Sequence, residues 1–205
     1  MSNQIETIIE VQTENRNRTT VFWRGILVAP VYIFLASFGP WASTESDIQF
    51  GDMMTFASPL ILIPTALAII FRGVYPSYVL SFNHALIELE TRVSTYLFLL
   101  NDDYPSIERN PRVAVIFPDV EGGAKLNRWM PLVKWFLAIP LYLVGCLYLL
   151  MTMIATVLAW LLTSISGTYP AWAGELTLNT LRFWNRVYGY AFILVTDEYP
   201  SFSLS

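Results

Sequence analysis

Residues 92–106 read "RVSTYLFLLNDDYPS", and residues 186–201 read "RVYGYAFILVTDEYPS". Each is an apolar run closed by two acids and Tyr-Pro-Ser. Working outward from the twins, Asn17-Arg18 returns as Asn127-Arg128, Arg24 as Lys134, and Ala29-Pro30-Val31-Tyr32 as Ile139-Pro140-Leu141-Tyr142. Tyr75-Pro76 returns as Tyr169-Pro170 at a shorter offset. Ordered matches of this kind are the mark of a tandem duplication. The two copies are residues 1–111 and 112–205. The change of offset places extra residues in the first copy between Pro30 and Tyr75, and the polar loop 41–54 is where they fit.

Of the 205 residues, 55% are hydrophobic and 14% charged, and the mean hydropathy is +0.48. Such a chain has too little polar surface for an ordinary soluble domain. Its seven Trp and eleven Tyr suit side chains with an apolar body in lipid and a polar tip at the head groups. The formal net charge of -4 and the scattered Lys and Arg argue against nucleic acid. Cys146 stands alone inside an apolar run, which excludes a disulfide framework. The N-terminus is polar and acidic, so no cleavable signal peptide is expected.

Apolar segments occupy residues 19–41, 53–71 and 131–165. The first two are long enough to cross about 30 Å of hydrocarbon. Because the extra residues of the first copy belong at a turn, the second copy is expected to form a transmembrane hairpin within 128–165, turning near Leu149 to Met153. That stretch has no Gly, Pro or Asn, and one long tilted helix is the open alternative. After each Tyr-Pro a polar stripe recurs at helical spacing: Ser81, His84 and Glu88 in residues 77–100, and Glu175, Asn179, Arg182 and Arg186 in residues 171–195. These stripes belong either in a bundle interior or on an amphipathic helix at the interface.

Arg16, Arg18, Arg24, Arg72, Arg109, Arg112, Lys125 and Arg128 flank the apolar segments, and the loop with Glu45, Asp47 and Asp52 is acidic. The positive-inside rule puts the first group on the cytoplasmic side, which favours interfacial helices and two copies parallel in topology. Residues 5–11 and 112–117 read as short strands that pair, joined by the tail "YPSFSLS", with extended linkers as the alternative. The expected fold is an all-α integral membrane protein: a tandem repeat of transmembrane helical hairpin plus interfacial amphipathic helix, with a small cytoplasmic β-layer. The expected location is the inner (cytoplasmic) membrane, multi-pass, with both termini cytoplasmic.

The strings "NRWMPLVKWFLAIPLYLVG", "GTYP" and "RVYGYAFILVTDEYPSFSL" resemble the bacterial membrane proteins of domain-of-unknown-function family 4389. The resemblance covers residues 113–204 and, more weakly before Tyr75, the first copy to Ser106, with loop 41–54 departing from the pattern. It implies an integral membrane protein without an assigned activity and supplies no catalytic residue.

Arg18, Arg24, Arg128 and Lys134, with Trp23 and Trp129, are candidates for lipid-headgroup contact or interface anchoring. Arg92 with Asp102, Asp103 and Tyr104, and Arg186 with Asp197, Glu198 and Tyr199, are candidates for a structural latch from each interfacial helix to the following chain. His84 is the only histidine, so neither a His-based metal site nor a Ser-His-Asp arrangement is expected, and no cofactor. Three functions are weighed. A non-catalytic scaffold or accessory subunit leads, because ionisable groups cluster at segment ends. A small oligomeric transporter or channel comes second, then a membrane enzyme acting on lipid. Expected partners are membrane lipids and either further copies of the chain or a larger membrane complex.

Overall fold

The computed structural model describes residues 3–37, 61–108 and 111–204. Loop 41–54, the start of segment 53–71 and Arg109 lie outside the described residues. The elements in chain order are β1 (Glu6–Ile9), α1 (Arg18–Leu27), α2 (Ala29–Ala36), α3 (Ile63–Arg72), α4 (Ser77–Leu97), β2 (Val113–Ile116), α5 (Met130–Leu137), α6 (Ile139–Ser166) and α7 (Ala171–Tyr188). A π-helical turn, Gly189–Ile193, comes directly after α7.

The repeated residues explain the repeated boundaries. The Asn17 side chain accepts hydrogen bonds from the N–H groups of Thr19 and Thr20, satisfying orphan donors where α1 starts. Pro30 and Pro140 stand in the first turns of α2 and α6, where a missing N–H is harmless; Val28 and Ala138 ahead of them keep right-handed helical angles. Gly73 and Gly167 end α3 and α6 in the left-handed conformation, at φ 62° and 77°. Pro76 and Pro170, extended at ψ 124° and 127°, then start α4 and α7.

α6 departs from the expected hairpin. It is one helix of 28 residues that passes Leu149 to Met153 without a turn. From Cys146 to Ser166 the chain has no Gly, Pro or Asn to open the backbone, so nothing competes with helix. Gly145 is a packing position rather than a turn: a Cβ there would lie 2.8 Å from the Trp184 ring and 3.0 Å from that of Phe183.

The strands pair as expected, antiparallel, with Thr7 opposite Val115 and Ile9 opposite Val113. The tail does not join them. The Phe202 carbonyl accepts from Tyr148, and that of Ser203 from Arg186.

The two halves of the chain, 1–111 and 112–205, interlock. β1 of the first copy lies on α7 of the second, and β2 of the second on α4 of the first. α1 runs antiparallel along the end of α6: Arg18 Nη2 donates to the Ser166 carbonyl at 3.0 Å, and Trp160 Nε1 to the Val21 carbonyl at 3.1 Å. Asn185 Nδ2 donates to Thr91 Oγ1 at 3.1 Å, joining α4 to α7. Both main cores are mixed. One gathers Ile69, Tyr75 and Val79 with Val115, Leu194 and Val195; the other gathers Ile9, Val21, Leu99 and Leu100 with Ala155, Tyr169 and Ala173.

Two helical stretches among the described residues, Arg18–Ala36 and Ile139–Ser166, are long and apolar enough to cross a membrane. Beyond Leu141 the inner face of α6 is small (Gly145, Thr152, Ala155, Ala159, Thr163), and its outer face presents Leu143, Leu147, Leu150, Ile154 and Leu158.

Candidate functional site

Where α4 and α7 end, the chain reverses through a leucine in the left-handed region: Leu99 at φ 68° and Leu194 at φ 63°. The second copy holds one more residue than the first between the equivalent tyrosines ahead of this reversal, Tyr96 and Tyr190, and those after it, Tyr104 and Tyr199. The π-helical turn absorbs it, because widening one turn takes up a residue without rotating the chain beyond it. Each reversal swings an acid back against the helix that opens its own copy.

In the first copy the Arg24 guanidinium forms an ion pair through Nη2 with Asp102 Oδ1. Its Nη1 donates to the carbonyls of Tyr96 (2.8 Å) and Asn101 (3.0 Å), and its carbon lies 4.4 Å from the Tyr96 ring centre. In the second copy Lys134 Nζ is 2.7 Å from Asp197 Oδ1, donates to the Thr196 carbonyl at 2.7 Å, and lies 5.2 Å from the Tyr190 ring centre. The other carboxylate oxygen accepts a backbone N–H in both, from Asn17 at 3.0 Å and from Asn127 at 2.6 Å. Tyr104 and Tyr199 close each latch, edge to face with Tyr96 and Tyr190. Cation, acid, ring, carbonyl and cap are all written twice.

These partners differ from the expected ones. Arg92 pairs with Glu88 at 3.8 Å on its own helix and donates to the Ile107 carbonyl; Arg186 donates to Ser203; Asp103 pairs with Arg112 at 3.3 Å; Glu198 accepts from the Asn3 N–H. The reversal at Leu99 and Leu194 turns Asp102 and Asp197 toward α1 and α5, so Arg24 and Lys134 receive them. Arg24 and Lys134, expected at the lipid head groups, are 2% and 1% exposed and pair with Asp102 and Asp197. Trp23 and Trp129 are exposed on the surface, as are Arg18 and Arg128. Each of these arginines lies over the glycine that ends a helix of the other copy: a Cβ on Gly167 would be 2.9 Å from Arg18 Nε, and one on Gly73 2.6 Å from Arg128 Nε. A cation there faces the negative end of the helix.

The first latch contains one residue the sequence did not single out. Arg16 lies 3.4 Å from Asp102 Oδ1, donates to the Leu99 carbonyl, and sits 5.3 Å from the Tyr169 ring centre. Burial pushes its guanidinium down to about 10 against the pull of Asp102, and neighbouring Arg24 adds to the push. The second copy has Leu126 at the matching position, so comparison of the copies held the only signal, a mismatch. His84 Nε2 is 2.7 Å from the Val115 carbonyl and its ring meets Phe117 edge on. With Glu88 and Arg92 it lines a cavity of about 870 Å³ between α4 and β2. Among the described residues no group of three His, Cys, Asp or Glu side chains is placed to hold a metal ion.

No family model, curated protein or solved structure matches the chain. The chemistry of the latches is that of fixed ion pairs. Each cation is held by an acid, a ring and one or two main-chain carbonyls, an arrangement suited to fixing each reversal against the helix that opens the same half.

Proposed function

We propose that the protein is a non-catalytic membrane scaffold or accessory subunit of the inner membrane, packing with lipid and with protein partners. The observation that carries this reading is the division of α6: small residues face the protein, while Leu143, Leu147, Leu150, Ile154 and Leu158, each 48–67% exposed, form a continuous apolar face with no polar group to hydrate. Polar groups between α6, α7, α4 and β1 bond one another. Thr152 meets Thr180 at 2.9 Å, and Asn185 meets both Thr7 and Thr91, which favours a packed centre over an aqueous path. Membership of domain-of-unknown-function family 4389 belongs to the same proposal, on the order of motifs in the second copy.

The disposition in the membrane has two readings, because α1 and α6 are antiparallel and Arg18 touches the end of α6 whereas Arg128 precedes its start. If α6 crosses the bilayer, Arg18 and Arg128 stand on opposite sides. If the apolar helices lie along one leaflet, both arginines stay on the cytoplasmic side, as the positive-inside rule prefers.

Alkaline carbonate extraction tests the membrane reading: retention in the pellet is expected, and release would overturn it. Cysteines at Lys125 and Thr168, in a background with Cys146 replaced, separate the dispositions: labelling from one side selects the in-plane arrangement, and from opposite sides the crossing. Ion or solute flux in reconstituted vesicles above that of empty ones would replace the scaffold with the oligomeric transporter.

A further inference from the structure

The two latches are copies, so their differences show what the first one has acquired. In the second, one cation meets one acid, Lys134 and Asp197. In the first, two arginines converge on a single oxygen, Asp102 Oδ1, and both are nine-tenths buried: Arg16 is 6% exposed and Arg24 2%. Two guanidiniums and one carboxylate leave one positive charge in excess. Excess charge is costly in a buried place unless a counter-charge joins it.

The hydrogen bonds show the same deficit. Nε of Arg16, Nε of Arg24 and Nδ2 of Asn101 are buried without an acceptor among the described residues, and Nη1 of Arg16 reaches only the 3.4 Å ion pair. Four buried N–H-bearing nitrogens of these three residues thus lack a hydrogen-bond acceptor, whereas a buried group of this kind is normally satisfied. Beside Arg24, between α1 and α6, lies a niche of about 150 Å³ walled by Val21, Gly25, Leu99, Thr156 and Trp160. It is about ten times the space that one water needs. In the second copy Leu126 stands where Arg16 does, and the excess charge is gone.

We infer that the first latch is an anion site: Arg24, which lines the niche, binds a phosphate group, and Arg16 behind it on Asp102 supplies the excess charge; the phosphate is carried either by a lipid headgroup entering between α1 and α6 or by a soluble phosphate. The forked N–H groups of arginine match tetrahedral oxyanions, and the single bound charge neutralises the cluster. The site does not depend on the membrane reading; only the source of the phosphate does.

The test uses the full chain in mild detergent, with inorganic phosphate titrated at constant ionic strength against chloride. Wild type is expected to gain several degrees of thermal midpoint at millimolar phosphate, as ligand linkage requires. Arg16→Leu, which installs the residue of the second copy, is expected to fold and to lose that gain. If this variant does not fold, Arg16→Gln serves, read through ³¹P line broadening of inorganic phosphate, with at least tenfold weaker binding expected. Native mass spectrometry supplies the other arm. One phosphatidylglycerol retained per wild-type chain but lost in the variant, with diacylglycerol retained by neither, assigns the phosphate to a headgroup; a response to inorganic phosphate alone assigns a soluble ligand. Equal responses in wild type and variant, or no response to either probe, overturn the inference and leave the donors to water.

Discussion

The Tyr75 hydroxyl donates to the carbonyl of Ile193 at 2.7 Å, reaching from the first half of the chain into the second. Tyr169 returns the contact, donating to the Phe98 carbonyl at 3.2 Å. Each accepting carbonyl immediately precedes the left-handed leucine of a reversal, so each copy fixes the bend that aims the other copy's acid. Tyr75→Phe removes a buried bond and is expected to destabilise by about 1 kcal/mol. Tyr169→Phe, with the longer bond, should have the smaller effect. Thermal midpoints in mild detergent give the comparison, and a neutral Tyr75→Phe beside a damaging Tyr169→Phe would contradict it.

Asp197→Asn leaves the Lys134 ammonium, 1% exposed, without its counter-charge. Breaking a buried pair from one side costs about 3 kcal/mol, whereas an apolar replacement of similar shape is often tolerated. Lys134→Met combined with Asp197→Asn should therefore recover most of the loss. A double mutant as unstable as the sum of the singles would show that the two groups do not interact.

Gly167→Ala meets two obstacles at once. Its φ of 77° disfavours a side chain, and the added Cβ would press on Arg18. The left-handed conformation alone accounts for about 1–2 kcal/mol. Adding Arg18→Ala should relieve the contact and not the backbone term, so partial recovery of the thermal midpoint is expected; full recovery would assign the whole effect to crowding.

Burial pushes the Glu90 carboxyl up to about 7, and Tyr188, partly buried and near Glu90, is raised to about 12. The folded state therefore prefers the protonated acid. Glu90 has no adverse effect below its ordinary value of 4.5, where both states bind the proton. Stability declines as pH rises from 4.5 through about 7, and the penalty is then complete, at most about 3 kcal/mol for a shift of this size. Glu90→Gln is expected to flatten this decline and to raise the thermal midpoint at pH 8. An unchanged pH profile would place the transition on another group.

The recurrence of Asn-Arg, of Pro30 as Pro140 and of Tyr-Pro was legible because each carries a local job: accepting N–H groups where a helix starts, opening a first turn, starting the next helix. The strand pairing was legible for a similar reason, since β-branched runs announce themselves. The latch partners were not. Arg92 stands near Asp102 in sequence, and Arg24 far from it, and only the reversal at Leu99 decides between them. Nothing in a leucine announces a left-handed backbone. The hairpin in α6 was inferred from an insertion in the other copy, while the direct signal, an uninterrupted run of helix-compatible residues after Gly145, pointed to the straight helix that forms.

Because the copies are threaded through one another, synthesis order matters. The strand at Glu6 pairs with residues that leave the ribosome a hundred positions later, and Asn3 bonds to Glu198 beside the last latch. The first half thus emerges with its apolar faces uncovered and its Tyr75 hydroxyl waiting for Ile193. Such a nascent chain must be sheltered, by lipid or by a chaperone, until the second half has followed.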